Sequence, residues 1–150
     1  MDGAQASVEI TGGITMIRYA DESDFETMKG YDKHISESEL QNAIRAKRIL
    51  LLYEKGGFIG WLRYNLFWDE IPFMNMLYVL EEYRGQGYGG RLLNFWEKEM
   101  ADCGYEMVLT STLSSEQAQF FYRKNGYIDC GSLLLPGEAL EIILRKELKR

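Results

Sequence analysis

The stretch Arg84-Gly85-Gln86-Gly87-Tyr88-Gly89-Gly90 restricts what this chain can fold into more than any other. Its glycines let the backbone take positive φ and come close to a ligand. Directly behind them Leu92, Leu93, Trp96, Met100 and Cys103 recur at helical spacing, with Asn94, Glu97, Lys98 and Asp102 on the opposite face. Residues 73–80 in front read as a strand, entered at Pro72 where a missing N–H does least harm. A strand, a glycine loop and a helix N-terminus in that order present free N–H donors and a positive dipole end. That is an anion site, suited to phosphate. A plain connecting turn would need fewer glycines.

The rest of the chain supplies the frame. Residues 14–19 read as a first strand, after a tail expected over residues 1–13. Asp21 and Asp24 suit a helix start, with Phe25, Met28 and Tyr31 on its buried side. Ser36 and Glu39 have capping-box spacing ahead of Leu40, Ala43 and Ile44, a second short helix. Residues 48–53 and 58–66 are strand-like and flank Glu54-Lys55-Gly56-Gly57, a hairpin signal. Gly104 is placed to close the long helix. Residues 107–113 read as a strand, Ser115 can cap a helix running to Lys124, and Asn125-Gly126 closes it. Residues 127–135 and 139–144 form a last strand pair around Pro136-Gly137. The order β-α-α-β-β-β-α-β-α-β-β predicts an α+β domain: a mixed, mostly antiparallel twisted sheet flanked by about four helices, with one parallel crossover at the glycine loop.

Composition excludes several classes. At 150 residues with 46% apolar and 27% charged content, the chain fits one ordinary globular domain. A net charge of −6, from 23 acids and 17 bases, argues against non-specific nucleic-acid binding and permits a cationic substrate. No apolar run approaches the ~20 residues that span a bilayer, and no signal peptide is evident. Cys103 and Cys130 are expected reduced, which points to the cytoplasm. With one histidine and two distant cysteines, no metal site is expected.

The loop half-matches two nucleotide motifs. Gly85-x-Gly87-x-x-Gly90 has the dinucleotide spacing, but the next strand ends Thr110-Ser111-Thr112-Leu113-Ser114 without the acid that would hold a ribose. Gly85 and Gly90 have the P-loop interval, but Arg91 and Leu92 stand where lysine and a metal-binding hydroxyl belong.

A third pattern fits. Arg84-x-x-Gly87-x-Gly89 resembles the (Gln/Arg)-x-x-Gly-x-(Gly/Ala) signature of the GCN5-related N-acetyltransferase (GNAT) superfamily. Leu77-Tyr78-Val79 ahead of it resembles that family's fourth strand, and Tyr122 followed by Gly126-Tyr127 resembles its second signature. The resemblance covers residues 14–144, and implies a GNAT domain over residues 14–150.

The resemblance implies that backbone amides of Arg84, Gly85, Gln86, Gly87, Tyr88, Gly89 and Gly90 hold the pyrophosphate of acetyl-CoA, with Arg84 adding charge. Leu77 and Val79 would pair with the pantetheine arm by strand addition, and Tyr122 would be the general acid at the leaving sulfur. Ser115 stands where the family often has an asparagine against the cofactor arm; a helix cap is the competing role. The family's strand glutamate aligns with Phe73, so no base is assigned; Asp69, Glu70 and Asn75 lie nearby. Tyr31, His34, Trp61, Trp68 and Asp69 fall where an acceptor pocket is usual, although the tryptophans suit a core equally. The implied activity is direct acetyl transfer to a primary amine through a ternary complex. The acceptor is a small molecule or a peptide, and the acidic balance tilts toward a small cation. A catalytically inactive acyl-CoA-binding module is the alternative, and homodimerisation stays open.

Overall fold

The computed structural model of the chain describes residues 9–11 and 15–149. Of the tail expected over residues 1–13, residues 1–8, 12 and 13 lie outside the described residues, as does Ile14 of the expected first strand. Residues 9–11 are strand β1 (Glu9–Thr11), antiparallel to β2 (Thr15–Tyr19). There follow α1 (Phe25–Tyr31), α2 (Glu37–Arg45), β3 (Ile49–Glu54), β4 (Gly57–Phe67), β5 (Ile71–Val79), α3 (Tyr88–Asp102), β6 (Met107–Leu113), α4 (Ala118–Lys124), β7 (Ile128–Leu133) and β8 (Glu141–Glu147). The four helices and mixed sheet are the expected α+β arrangement among the described residues.

The described residues form two compact units, one within residues 9–65 and 76–95 and one within residues 66–75 and 96–149, so β4, β5 and α3 each contribute to both. In the first unit the strands follow β1-β2-β3-β4. Asp21 starts the α1 region: its carboxylate accepts from the Ser23 N–H at 2.9 Å while its own N–H donates to Asp24 at 2.8 Å. Ser36 Oγ likewise accepts from the Glu39 N–H at 3.3 Å to start α2. The β3–β4 turn is tighter than the four residues expected. Lys55 and Gly56 alone connect the strands, at φ 50° and 81°, the two positive values of a type I′ turn. Ala20, Met28, Leu40, Ile44, Ile49, Leu51 and Trp61 make the core of this unit, with Phe25 and Phe58 packed on it. Tyr31 is 42% exposed rather than buried, its ring 4.6 Å from that of Phe58.

In the second unit β6 lies between β5 and β8, and β7 pairs with β8. The β5–β6 pairing is parallel, as the crossover through α3 demands, and every other described pairing is antiparallel. It covers only Phe73–Leu109 and Met74–Thr110, sealed by the Thr110 hydroxyl donating to the Met74 carbonyl at 3.0 Å. Two expectations are corrected here. Helix α3 ends at Asp102, so Cys103 falls in the turn before Gly104 (φ 97°) and is exposed instead of joining the apolar face. The last hairpin has shorter β7 and later β8 than expected, because residues 134–140 form its connection.

Candidate active site

The glycine loop has backbone features that suit an anion. Gly85 and Gly87 take φ of 75° and 87°, values that few side-chain-bearing residues adopt. A β-carbon at Gly85, Gly87 or Gly90 would meet no heavy atom within 4 Å, so the backbone there faces open space. The loop runs straight into the fifteen-residue helix α3, whose Arg91 N–H already bonds to the Gly87 carbonyl at 3.1 Å. Arg91 Nη2 is buried and has no hydrogen-bond partner among the described residues. A buried guanidinium N–H without an acceptor is rare, and it adds an unmet cationic donor in the first turn of α3. These residues suit a phosphate-bearing cofactor.

Arg84 is differently employed. Its Nε donates to the Val79 carbonyl at 2.8 Å and its guanidinium lies 4.9 Å from the centroid of the Tyr78 ring. Within β5 the ladder to β6 ends at Met74, so Leu77 and Val79 lie outside it. Their neighbour Gly60 is forced: a β-carbon there would stand 2.5 Å from the Tyr78 carbonyl oxygen.

Tyr122 is carried by α4 and is 7% exposed. Burial pushes its phenol up to about 12, a hydrogen bond with Thr110 opposing the shift and the Glu116 charge adding to it. The group is therefore a proton holder at neutral pH. Behind it, Tyr127 Oη donates to Glu97 Oε2 at 2.8 Å and Lys146 Nζ donates to Glu97 Oε1 at 2.8 Å. Burial first, then the Glu97 charge, raises the Tyr127 phenol strongly. Gly126, at φ 91°, turns the chain from α4 into this buried cluster.

Ser115 does not cap α4. The capping position is Gln117, whose side chain makes no cap bond, and Ser115 is exposed in the preceding turn. The structure divides the acceptor candidates. Trp61 is core, 2% exposed, with its indole N–H donating to Asp32 Oδ2 at 3.3 Å. His34 is exposed, and Trp68 is 76% exposed at the β4–β5 turn. Asp69, Glu70 and Asn75 are exposed as well, and Phe73 packs on Phe67 at 6.1 Å between centroids. Sequence reasoning missed the buried pair Arg63–Asp32 at 2.8 Å and the hydroxyl contacts of Glu54 described below. Residues 31 to 39 positions apart carry no mutual signal in a single sequence. Among the described residues, no group of three or more His, Cys, Asp or Glu is placed to hold a metal ion, and no helix is long and apolar enough to cross a membrane.

Residues 15–127 match the model of the Acetyltransferase (GNAT) family. The chain belongs to that family, and so to the acetyl-CoA-dependent acetyltransferases. No curated protein matches the sequence closely enough to count as a relative. Solved structures share the fold at low identity. A GNAT-family acetyltransferase from Bacillus cereus is 23% identical, with a TM-score of 0.73 over 92% of this chain and 100% of that one. The ribosomal-protein-S18-alanine N-acetyltransferase of Escherichia coli is 17% identical, with a TM-score of 0.75 over 91% and 96%. N-acetylglutamate synthase from Neisseria gonorrhoeae, solved with coenzyme A and N-acetyl-glutamate, is 19% identical, with a TM-score of 0.75 over 93% of this chain and 36% of that one.

Proposed function

We propose that this acetyltransferase moves the acetyl group of acetyl-CoA directly to a primary amine, in a ternary complex and without an acyl-enzyme. The observation that carries the reading is the cradle at residues 84–90: two left-handed glycines, open space over their α-carbons, a helix N-terminus and the unmatched Arg91 N–H. Its backbone amides, from Arg84, Gly85, Gln86, Gly87, Tyr88, Gly89 and Gly90, take the pyrophosphate. Leu77 and Val79 offer backbone groups to the pantetheine arm, and Ser115 a hydroxyl. When bound, acetyl-CoA supplies an acyl group already activated as a thioester. Tyr122 holds its proton at neutral pH and donates a hydrogen bond to the departing sulfur. With its phenol near 12, well above an ordinary thiol, Tyr122 acts more as a hydrogen-bond donor than by complete proton release.

The acceptor amine must be neutral to attack. A small cationic amine suits the net charge of −6. The neighbouring structures favour no acceptor, since one acts on a protein alanine and another was solved with N-acetyl-glutamate. Calorimetry with acetyl-CoA and a coenzyme A release assay across polyamines, aminoglycosides, amino acids and N-terminal peptides test the reading. Binding with release on at least one amine supports it. Binding with no release on any of them would leave a cofactor-binding module, and no binding would remove the loop's assignment.

A further inference from the structure

The glycine loop carries one aromatic side chain, and its hydroxyl turns toward β3. Tyr88 Oη donates to Glu54 Oε2 at 2.7 Å, and Thr15 Oγ1 donates to the same oxygen at 2.7 Å. Glu54 is the last residue of β3, opposite Thr15 of β2, and both are buried. The hydrogen bond from Tyr88, followed by that from Thr15, holds the Glu54 carboxyl below its ordinary value, and the same contact raises the Tyr88 phenol. The pair is a phenol and a carboxylate across the working pH range.

On charge alone this placement is adverse. A carboxylate one side chain away from an anion cradle repels the anion, and the low dielectric of a partly buried site sharpens the effect. Its geometry supplies a different reason for it. One oxygen collects two hydroxyls from different elements and so fixes the Tyr88 ring. Tyr88 is the first residue of α3 and stands between Gly87 and Gly89, which have no side chains to anchor themselves. The guanidinium of Arg91 lies 5.8 Å from the centroid of the same ring, and Arg91 is the residue whose Nη2 is buried without a partner.

We propose that Glu54 is a positioning residue for cofactor binding: by gripping Tyr88 it fixes the glycine loop and the first turn of α3, Arg91 included, in the geometry that receives phosphate. This rests on the reading of the loop as the acetyl-CoA seat. Glu54 touches no ligand in this scheme. Its negative charge is the cost of a rigid cradle made of otherwise unanchored glycines, offset by the neighbouring Arg91 and Lys55 charges.

Three variants separate positioning from charge: Tyr88→Phe, Glu54→Leu and Glu54→Gln. The readouts are calorimetric Kd for acetyl-CoA, and KM for acetyl-CoA set against kcat. Tyr88→Phe keeps the ring beneath Arg91 and loses only the hydroxyl; it should weaken acetyl-CoA binding about tenfold, the loss falling on KM more than on kcat. Glu54→Leu should weaken binding at least as much. Glu54→Gln keeps an acceptor oxygen for both hydroxyls while removing the charge, and should bind at least as tightly as the parent. If Glu54→Leu and Tyr88→Phe bind acetyl-CoA as well as the parent or better, the positioning role is wrong. Thermal melts guard against unfolding, with affinities taken well below each midpoint. A parent protein that binds no acetyl-CoA would overturn the loop reading itself, an outcome distinct from variants that behave like a binding-competent parent.

Discussion

Tyr127 and Glu97 meet at 2.8 Å, phenol to carboxylate, in an interior where Lys146 holds the other carboxylate oxygen. Tyr127 is 1% exposed and Glu97 9%, so each group depends on the others for its hydrogen bonds. Truncation at Glu97→Ala leaves a buried hydroxyl and a half-buried ammonium without an acceptor. We expect a loss of about 3 kcal/mol in urea unfolding. A loss under about 0.5 kcal/mol would mean that water enters and replaces the carboxylate.

The same interior sets an alkaline limit. Tyr122 and Tyr127 both have phenols raised above the ordinary value, Tyr122 to about 12. The folded state therefore keeps protons that the unfolded chain releases near pH 10. Both contributions are complete below about pH 10; that of Tyr122 is lost as pH climbs toward 12, while that of Tyr127, raised further, goes on falling beyond it. Unfolding free energy should begin to fall near pH 9, where the unfolded chain releases the protons of Cys103 and Cys130, thiols that burial also raises, and above pH 10 it should steepen by about 1.4 kcal/mol per pH unit for each phenol. Denaturant titrations at stepped pH give the slope; a flat profile through pH 11 would contradict it.

For Tyr122, replacement by Phe removes the proposed donor with little change in packing. We expect kcat to drop about 100-fold, with KM for acetyl-CoA little altered. In the parent the rate should rise with pH as the acceptor amine loses its proton, with no descending limb below pH 10. A descending limb near pH 8 to 9 that vanishes in Tyr122→Phe would place the phenol's titration far below the value its burial imposes.

Gly60 admits no side chain. Its α-carbon passes the Tyr78 carbonyl so closely that a β-carbon would sit 2.5 Å from backbone oxygen, with no flexible side-chain end to yield. Gly60→Ala should destabilise the fold by about 3 kcal/mol or more through displacement of backbone. Gly57→Ala, whose β-carbon would be 3.5 Å from the Glu54 carbonyl, is the control and should cost far less.

The glycine loop, the amphipathic α3 and the parallel crossover were legible because each is written in contiguous residues at a fixed period. The misreadings share a cause as well. Cys103 continues the spacing of Trp96 and Met100, yet the helix has already stopped at Asp102, a boundary set by Gly104 turning left-handed. Leu133, Leu134 and Leu135 read as the end of a strand, but β7 stops at Leu133, and the three are 51%, 76% and 53% exposed. Ser115 has the chemistry of a cap, but the helix begins after Gln117. Tyr88 with Glu54, and Arg63 with Asp32, are long-range partners, and a single sequence does not show which acid a distant hydroxyl or guanidinium will find.

The parallel ladder between β5 and β6 has only two rungs, ending where Thr110 bonds to the Met74 carbonyl. Beyond Met74, no rung to β6 is described along β5. A ligand whose amides complete the ladder would be registered by the protein as an additional strand, so its binding energy would appear as folding energy. The melting temperature would then report cofactor concentration logarithmically. Slowed amide exchange would spread along Leu77 and Val79 like a zipper closing on a tooth supplied from outside the chain.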